Sequence, residues 1–481
     1  MYTRGFEACQ GREVCYIPFM NSLSRRTALL LAGVSLAAAA ALWAIPPDIW
    51  ARGLGGPGRE RASGVAPDRG GTVYTVGRIE GEATLGTAHV TSAGADALVA
   101  SLDAKGQVVW AHALGGPGPD EARAVAILTE GDVFVVGSFS GKADFDPGPG
   151  RTELASAGGT DVFVLRLTPE GALVWARRLG GSQADTGVDV AVDSRGVYVA
   201  GSFRGSLEAG ASRLAGAGKS DGFVAKLDLA GTPQWVQRIG GPQDDEARSV
   251  AVEAGGEVWV TGSFEGKAGI GPEAGASVES AGKSDGFLAR LGPDGGVLWS
   301  GRIGGKGEDA VTAVATGLGG AWITGYFTDI ADFDPGSAVT TMASVGKTDT
   351  FVARLAKTGQ LRWVQRIGGP HYDTGTGVAP DPEGGVWSLS VQIERSGFSL
   401  DPESTDDRAA LTHFDRNGER KITRDMAGED GLRALDVAVD SAGNPCVAGA
   451  FRGKGEVITG FEAAYLPSAG QTDALVARIT K

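Results

Sequence analysis

The sequence predicts an all-β fold built from seven four-stranded antiparallel units, and three observations lead to this prediction. Glycine makes up 78 of the 481 residues, more than twice the usual share of about 7%. Segments with alternating apolar positions and many β-branched residues recur, as in short strands joined by tight turns. A tryptophan followed by a Gly-Gly pair repeats along the chain, and a fixed period of this kind indicates a repeat architecture.

The repeat is marked by a segment that carries tryptophan and ends in Gly-Gly, such as WARRLGG at Trp175 and WVQRIGG at Trp235. Successive markers lie 60, 65, 60, 64, 64 and 59 residues apart, and the last copy is degenerate. Seven units therefore fill the chain after its first segment. The marker residues are Trp50, Trp110, Trp175, Trp235, Trp299, Trp363 and Ile422.

Each unit contains four strand-like segments, which we letter a to d in chain order. In one unit, strand a is Val188–Val192, strand b is Val197–Phe203 and strand c is Gly222–Leu227. Strand d is the tryptophan segment. Four-stranded units repeated four to eight times are typical of a β-propeller. The sequence thus predicts a seven-bladed β-propeller over residues 46–481.

The two ends of the chain predict how this propeller closes. The chain begins with a lone d strand, Ile49 to Gly55, and ends with a c strand, Ala474 to Ile479. The first strand can supply the d strand that the last blade lacks. We expect the Trp50 strand to pair with residues 474–480, which would remove an exposed sheet edge.

The repeated pattern GG…D…VAVD..G.VYV.GSF.G…SAG..D.FVAKLD..G...W resembles the bacterial SBBP-type β-propeller repeat over residues 49–481. The resemblance implies a propeller fold and an extracytoplasmic location. It implies no single activity, because such folds carry many functions. The sixth blade departs from the pattern: it has Ile422 for tryptophan, lacks Gly-Ser-Phe, and has Arg408 where other units carry Asp.

Residues 1–45 are expected to be an export signal. Arg25 and Arg26 precede an apolar run at 28–45, as in a secretory signal peptide. A run of this length could also stay as an uncleaved anchor, but its alanine-rich composition favours cleavage, which would leave no membrane span. The arginine pair suits either the general secretory or the twin-arginine route. Met20 is an alternative start, since a signal beginning there is more compact.

Charge and cysteine content narrow the class of protein. A net charge of −14 argues against nucleic acid as a partner, because phosphate binding needs a basic face. Cys9 and Cys15 precede the apolar run and leave Cys446 alone in the mature chain, so no internal disulfide is expected. We expect a monomer that is periplasmic, secreted or at the cell surface.

Variation in repeat length predicts the binding face. It falls in the connections between strands b and c, which run from 17 to 22 residues. In an antiparallel blade, the b–c and d–a connections emerge on one side of the disc, which we call the b–c/d–a face. Binding residues favour long, variable loops on a rigid scaffold. We expect an unknown protein or glycan at the cell surface to bind this face.

Acidic residues recur at two positions of the repeat. One stands ten residues after each tryptophan, and these acids would form a partial ring near the central channel that attracts a cation or a basic ligand. The alternative is that each acid caps its turn by accepting backbone N–H groups. This set comprises Glu60 and the candidate ligand-binding residues Asp120, Asp185, Asp245, Asp309 and Asp373. A second set, expected to be structural, opens strand c: Asp96, Asp161, Asp221, Asp285, Asp349 and Asp473.

Two loops share the segment Ala-Asp-Phe-Asp-Pro-Gly, at 143–148 and 331–336. Paired carboxylates beside a glycine turn could hold Ca²⁺, which takes six to eight oxygen ligands. The further ligands of known calcium loops are missing, and an Asp-Pro turn is the alternative. The candidate metal ligands are Asp144, Asp146, Asp332 and Asp334.

No catalytic motif is legible in the sequence, which lacks H-x-x-x-H, Walker and G-x-S-x-G segments. The segment Leu102–Trp110 looks like the repeat of quinone-dependent dehydrogenase propellers, but the quinone and calcium ligands of those enzymes are not found here. The sequence therefore predicts an extracytoplasmic binding or scaffold protein and not an enzyme. A propeller enzyme resembling the quinone-dependent dehydrogenases is the alternative.

Overall fold

The computed structural model describes residues 49–129, 131–271, 276–393, 407–458 and 463–481. The chain divides into two units, Met1–Pro47 and Asp48–Lys481, and the described residues belong to the second. The expected export signal at residues 1–45 therefore lies outside the described residues. All the regular elements of the described ranges are strands, so the all-β prediction is confirmed there. In these ranges no helix is long and apolar enough to cross a membrane.

The strands follow one another in chain order with short turns between most of them. The first nine are β1 (Trp50–Leu54), β2 (Arg61–Pro67), β3 (Val73–Leu85), β4 (Ala88–Leu102), β5 (Val108–Leu114), β6 (Glu121–Ile127), β7 (Val133–Asp144), β8 (Glu153–Leu167) and β9 (Leu173–Leu179). The next ten are β10 (Thr186–Asp193), β11 (Gly196–Phe203), β12 (Ser206–Ala209), β13 (Ser212–Ala215), β14 (Asp221–Leu227), β15 (Pro233–Gly240), β16 (Asp245–Val252), β17 (Val258–Ile270), β18 (Ala276–Leu291) and β19 (Val297–Gly305). There follow β20 (Ala310–Gly317), β21 (Gly320–Phe327), β22 (Ile330–Asp332), β23 (Thr341–Ala343), β24 (Asp349–Ala356), β25 (Leu361–Ile367), β26 (Tyr372–Pro380), β27 (Val386–Ile393), β28 (Asp407–Phe414) and β29 (Arg420–Gly428). The last are β30 (Leu432–Val439), β31 (Pro445–Phe451), β32 (Lys454–Ile458), β33 (Ala463–Pro467) and β34 (Asp473–Arg478).

The strands pair as antiparallel meanders in the order a–b–c–d. Three sheets are meanders alone: β2–β3–β4–β5, β6–β7–β8–β9 and β20–β21–β24–β25. The order recurs in β10–β11–β14–β15, β16–β17–β18–β19 and β26–β27–β28–β29, inside larger sheets. β12 and β13 form a two-stranded sheet of their own. A further four-stranded sheet has the order β30–β31–β34–β1, with Trp50 opposite Arg478 and Leu54 opposite Ala474. The pairing expected between the chain ends is therefore present.

The b–c connections contain strands in addition to the four of each unit. Strand β17 runs on to Ile270, and its last two residues pair with Ile239 and Gly240 of the preceding d strand. This contact joins two meanders into a ten-stranded sheet, and the pairing of β29 with β32 gives a six-stranded one. Where the structure describes both arms of a b–c connection, they pair with each other, as β12 with β13, β22 with β23 and β32 with β33.

The innermost strands of the meanders lie side by side. Each a strand contacts the next in the cyclic order β2, β6, β10, β16, β20, β26, β30 and back to β2. The buried apolar clusters contain residues of neighbouring meanders, as where Trp50 and Val476 meet Val65 and Leu98. Such burial is the main stabilising term of a fold, at roughly 25 cal/mol per Å² of apolar surface.

The tryptophan of strand d docks onto the next meander. The indole nitrogen of Trp175 donates to the carbonyl of Leu229 at 3.0 Å, in the c–d turn of the meander that follows. The same bond recurs from Trp50 to Ala104, Trp110 to Pro169, Trp235 to Pro293 and Trp363 to Arg416. Gly231 of that turn has a φ of 81°, and a Cβ there would lie 2.9 Å from the Trp175 ring. The turn thus needs glycine for its backbone and for the close approach of the indole.

Candidate functional site

Each innermost strand contains one β-bulge near its start. In β2 the register shifts between Ala62 and Gly64, so Ser63 has no partner on the neighbouring strand. A bulge bends its strand and re-aims the extra side chain. The residues that the shifts leave unpaired are Ser63, Arg123, Val188, Arg248, Thr312, Thr376 and Leu435.

The bulged residues all line one cavity of about 570 Å³, which we call the central cavity. Its size is that of a small-molecule site. The bulges lie within the first five residues of their strands, next to the d–a connections. The central cavity therefore lies toward the b–c/d–a face. The bulges were not predicted from the sequence, because the residue that a bulge inserts cannot be told apart from its neighbours in a single alternating segment.

Arginines dominate one wall of the central cavity. Arg61, Arg78 and Arg123 surround Glu121. The Arg61 guanidinium donates to Glu121 Oε1, and Arg123 Nη2 lies 3.3 Å from Oε2. Burial alone would raise the pKa of Glu121, but the charges of Arg123 and Arg61 hold it below its usual range. This carboxylate is thus ionised at neutral pH and held by guanidinium groups.

Two carboxylates of the cavity link neighbouring innermost strands. Asp189 Oδ2 accepts bonds from the Ser249 hydroxyl and the Val250 amide, both at 2.8 Å. Asp436 Oδ2 accepts from the Val65 amide at 2.9 Å. Burial raises the pKa of both groups, that of Asp436 to about 6. These residues occupy the position after the bulge and connect β10 to β16 and β30 to β2.

The predicted acids before strand a are buried and bonded to backbone. Asp120 Oδ2 accepts from the Gly116 amide at 2.7 Å and Oδ1 from the Ser140 amide at 3.0 Å. Its sequence neighbour Glu121 lines the cavity instead. The other acids of the set likewise accept from the amide four residues earlier in the chain. These bonds run from Gly56 to Glu60, Gly181 to Asp185, Gly241 to Asp245, Gly305 to Asp309 and Gly369 to Asp373. The arrangement is that of the capping alternative, and binding of a ligand by these residues stays a prediction.

Each of these acids faces the acid that opens the preceding strand c. Burial raises the pKa of Asp120 to about 7, and the carboxylate of Asp96 adds to the rise. Asp185, Asp245 and Asp309 follow the same pattern with Asp161, Asp221 and Asp285. Glu60 reaches about 7 and Asp373 about 6 for the same reasons. The acids before strand a therefore keep their proton to a higher pH than an exposed carboxyl does.

The unit marked by Ile422 lacks one acid of the carboxyl pair. Leu432 stands where the other units have an acid before strand a, and it is buried. The prediction that Arg408 replaces the acid that opens strand c is wrong: Asp407 pairs with Ile393 at the register that these acids hold in the other units. Asp407 is buried and lies 3.6 Å from the guanidinium of Arg433. This unit thus keeps the acid that opens strand c, beside an arginine, and has a buried apolar side chain in place of the acid before strand a.

His413, which also distinguishes the sixth unit, contacts a buried carboxylate. Its Nε2 lies 2.8 Å from Asp381 Oδ2, which Lys481 approaches at 2.9 Å. Other meanders place a cation at this register, such as Arg166 with Asp132 at 2.5 Å. The histidine therefore takes the place of a structural arginine.

The two Asp-Phe-Asp-Pro-Gly loops have the same internal bonds. Asp332 Oδ1 accepts from the amides of Asp334 and Thr340 at 3.1 and 2.8 Å, and Asp334 Oδ1 from Gly336 at 2.8 Å. Asp144 and Asp146 repeat these contacts with Asp146, Thr152 and Gly148. Such bonds are those of an Asp turn. Within the described ranges, no group of three or more His, Cys, Asp or Glu side chains is placed to hold a metal ion.

The phenylalanine of each loop is its anchor. Phe333 is fully buried, and its ring centroid lies 5.0 Å from those of Phe327 and Phe351. Phe145 packs in the same way on Phe139 and Phe163. Only the flanking carboxylates were candidates from the sequence, and the role of the phenylalanine was not predicted.

Comparisons with known proteins give distant relatives. No family model matches the chain, so the resemblance to the SBBP-type repeat stays a prediction. Over 325 residues the chain is 27% identical to "Regulatory protein FlaEY" of Caulobacter vibrioides, covering 61% of this chain and 32% of that protein. Over 235 residues it is 25% identical to an uncharacterized WD repeat-containing protein of Acanthamoeba polyphaga mimivirus, covering 42% and 17%. The aligned part thus spans less than a third of either relative.

Several solved structures are similar at low identity. The WD40 β-propeller domain of Doa1 aligns with a TM-score of 0.42 at 12% identity, covering 88% of this chain and 95% of that one. A quinohemoprotein alcohol dehydrogenase from Pseudomonas putida aligns with a TM-score of 0.37 at 11% identity, covering 88% and 75%. Similarity at this level says nothing about activity.

Proposed function

We propose that this protein is a seven-bladed β-propeller that acts outside the cytoplasm as a binding or scaffold protein, with its partner on the b–c/d–a face. The meander order a–b–c–d and the cyclic contact of the innermost strands support the blade count. Seven innermost strands, each with one bulge, correspond to the seven repeats of the sequence. The hairpins of the b–c connections would then extend the outer part of each blade.

The position of two cavities supports the b–c/d–a face as the binding face. The central cavity lies next to the d–a connections. A second cavity of about 700 Å³ is lined by Asp244 and Glu308 of d–a connections and by Glu265 and Lys283 of a b–c connection. Concave sites with converging polar groups are where ligands bind. The a–b and c–d turns of the other face are tight, as at Asp193–Gly196.

A site-specific crosslinking experiment tests the face. Ser182 and Ser194 are exposed serines beside the two ends of β10, the first in a d–a connection and the second in an a–b turn. A photo-crosslinking residue is placed at each position in the full chain, which is expressed in its own cells. We expect a discrete crosslinked partner from position 182 and none from position 194. Crosslinks from position 194 alone would place the partner on the opposite face.

Export is tested with the chain's first segment. Residues 1–45 are fused to alkaline phosphatase, which is active only outside the cytoplasm, and Arg25 and Arg26 are both changed to Lys in a parallel fusion. We expect activity from the first fusion. A loss of activity in the Lys-Lys fusion would assign the twin-arginine route, since general secretion needs only positive charge. An inactive first fusion would contradict an extracytoplasmic location.

A further inference from the structure

Two like charges face each other directly on the wall of the central cavity. Arg61 of β2 and Arg78 of β3 are cross-strand partners, and like charges in this position destabilise a sheet. Arg123, which the bulge of β6 directs into the cavity, adds a third guanidinium. This concentration of positive charge stands out in a chain with a net charge of −14.

The protein's own carboxylates only partly neutralise this cluster. Glu121 accepts from Arg61 and lies 3.3 Å from the guanidinium of Arg123, and Arg78 pairs with Glu80. Three cations thus face two anions. The Nε atoms of the three arginines are buried, and none has a hydrogen-bond partner in the described part of the chain. A guanidinium has five N–H groups and binds carboxylates with two of them at once, so the cluster has unused capacity for another oxyanion.

The wall across the cavity carries hydroxyl groups. Thr312 donates its hydroxyl to the carbonyl of Gly375 at 2.6 Å, and Thr376 donates to that of Ala434 at 3.1 Å. The one O–H donor of each hydroxyl is therefore used in these bonds, but its lone pairs can still accept a hydrogen bond. The carboxylates of Asp189 and Asp436 already accept amides of neighbouring strands. This side of the cavity therefore suits a ligand that donates hydrogen bonds and carries no negative charge there.

We propose that the central cavity binds a small hydroxylated carboxylate of the sugar-acid type. Its carboxylate would accept from Arg61, Arg78 and Arg123, and its hydroxyls would donate to Thr312 and Thr376. The volume of about 570 Å³ is sufficient for such a molecule. This site does not depend on the macromolecular partner proposed above, since a small ligand can bind the cavity whichever face that partner takes.

Isothermal titration of the purified full chain with glucuronate, glucose and inorganic phosphate tests the assignment. We expect glucuronate to bind and to raise the melting temperature by mass action, glucose to show no binding, and phosphate to bind more weakly than glucuronate. Phosphate binding as tight as glucuronate would overturn the role of the hydroxyl wall. Absence of glucuronate binding would overturn the site.

Variants locate the binding. Arg78→Gln and Arg123→Gln each remove one charged donor, and each should weaken glucuronate binding by about tenfold or more. Arg78→Lys keeps the charge but loses the fork-shaped guanidinium, so its affinity should lie between those of Arg78→Gln and the unaltered chain. Arg195→Gln, in an exposed a–b turn, is the matched control and should bind normally. Circular dichroism and melting of each free variant show whether it has folded, and normal affinity in a folded Arg123→Gln would refute the assignment.

Discussion

At the scale of single residues, the glycine of each c–d turn meets the tryptophan of the preceding meander. The bonds from Trp175 and its counterparts hold neighbouring meanders together. The partner glycine was not foreseen. Its necessity depends on a positive φ and on the distance to a ring about 55 residues away in sequence, neither of which a local pattern contains.

Two glycine variants separate the effect of the positive φ from that of the contact with the indole. Gly231 lies in a c–d turn and Gly319 in an a–b turn. Gly231 and Gly319 both have positive φ, but a Cβ at Gly319 would meet nothing within 4 Å. We expect Gly319→Ala to lower the free energy of unfolding by about 1–2 kcal/mol through backbone strain alone. Gly231→Ala should cost a further 1–3 kcal/mol, roughly, because the new methyl overlaps the Trp175 indole. Denaturant unfolding measures both, and equal losses would show that the indole moves aside without cost.

At the scale of strands and loops, the sequence predicted the elements better than their exact pairing. Strand b, predicted as Val197–Phe203, is observed as Gly196–Phe203, and strand c, predicted from Gly222, begins at Asp221. The hairpins of the b–c connections and the bulges of the a strands were not foreseen. Both depend on which residues face each other across two strands, and alternation within one strand does not determine that.

The Asp-Phe-Asp-Pro-Gly loops allow their carboxylates to be tested as turn residues or as metal ligands. Asp332 Oδ1 accepts two amides, and an asparagine oxygen can accept them as well. We therefore expect Asp332→Ala to lower the free energy of unfolding by about 1 kcal/mol and Asp332→Asn to lower it much less. Millimolar calcium should leave the melting temperature of the full chain and of both variants unchanged. A rise with calcium that a chelator reverses and Asp332→Asn abolishes would establish the metal site instead.

At the scale of the whole molecule, the acid before strand a recurs in six units, so its effect on stability is repeated. The sequence located the acids before strand a and offered two roles for them, a ring open to ligands or caps on turns. Their burial against a second acid could not be inferred, because the acid that opens strand c belongs to a different strand and the two meet only where meanders adjoin. The result is a series of carboxyl pairs between neighbouring meanders, with the pKa of Asp120, Asp185, Asp245 and Asp309 raised to about 7.

These pairs make the stability of the molecule depend on pH. A carboxyl with a raised pKa binds its proton more tightly in the folded than in the unfolded chain, so it stabilises the fold at low pH, and this contribution is lost as pH rises from about 4 to about 7. We expect the melting temperature at pH 5 to exceed that at pH 8 by about 5 °C or more. Replacing Asp120 and Asp185 by Asn removes two of the titrating groups and should reduce the difference, whereas Asp294→Asn, at an exposed turn, should not. A melting temperature that is constant between these pH values, or higher at pH 8, would show that the acids before strand a are ionised in the folded protein at pH 5 and contradict the prediction.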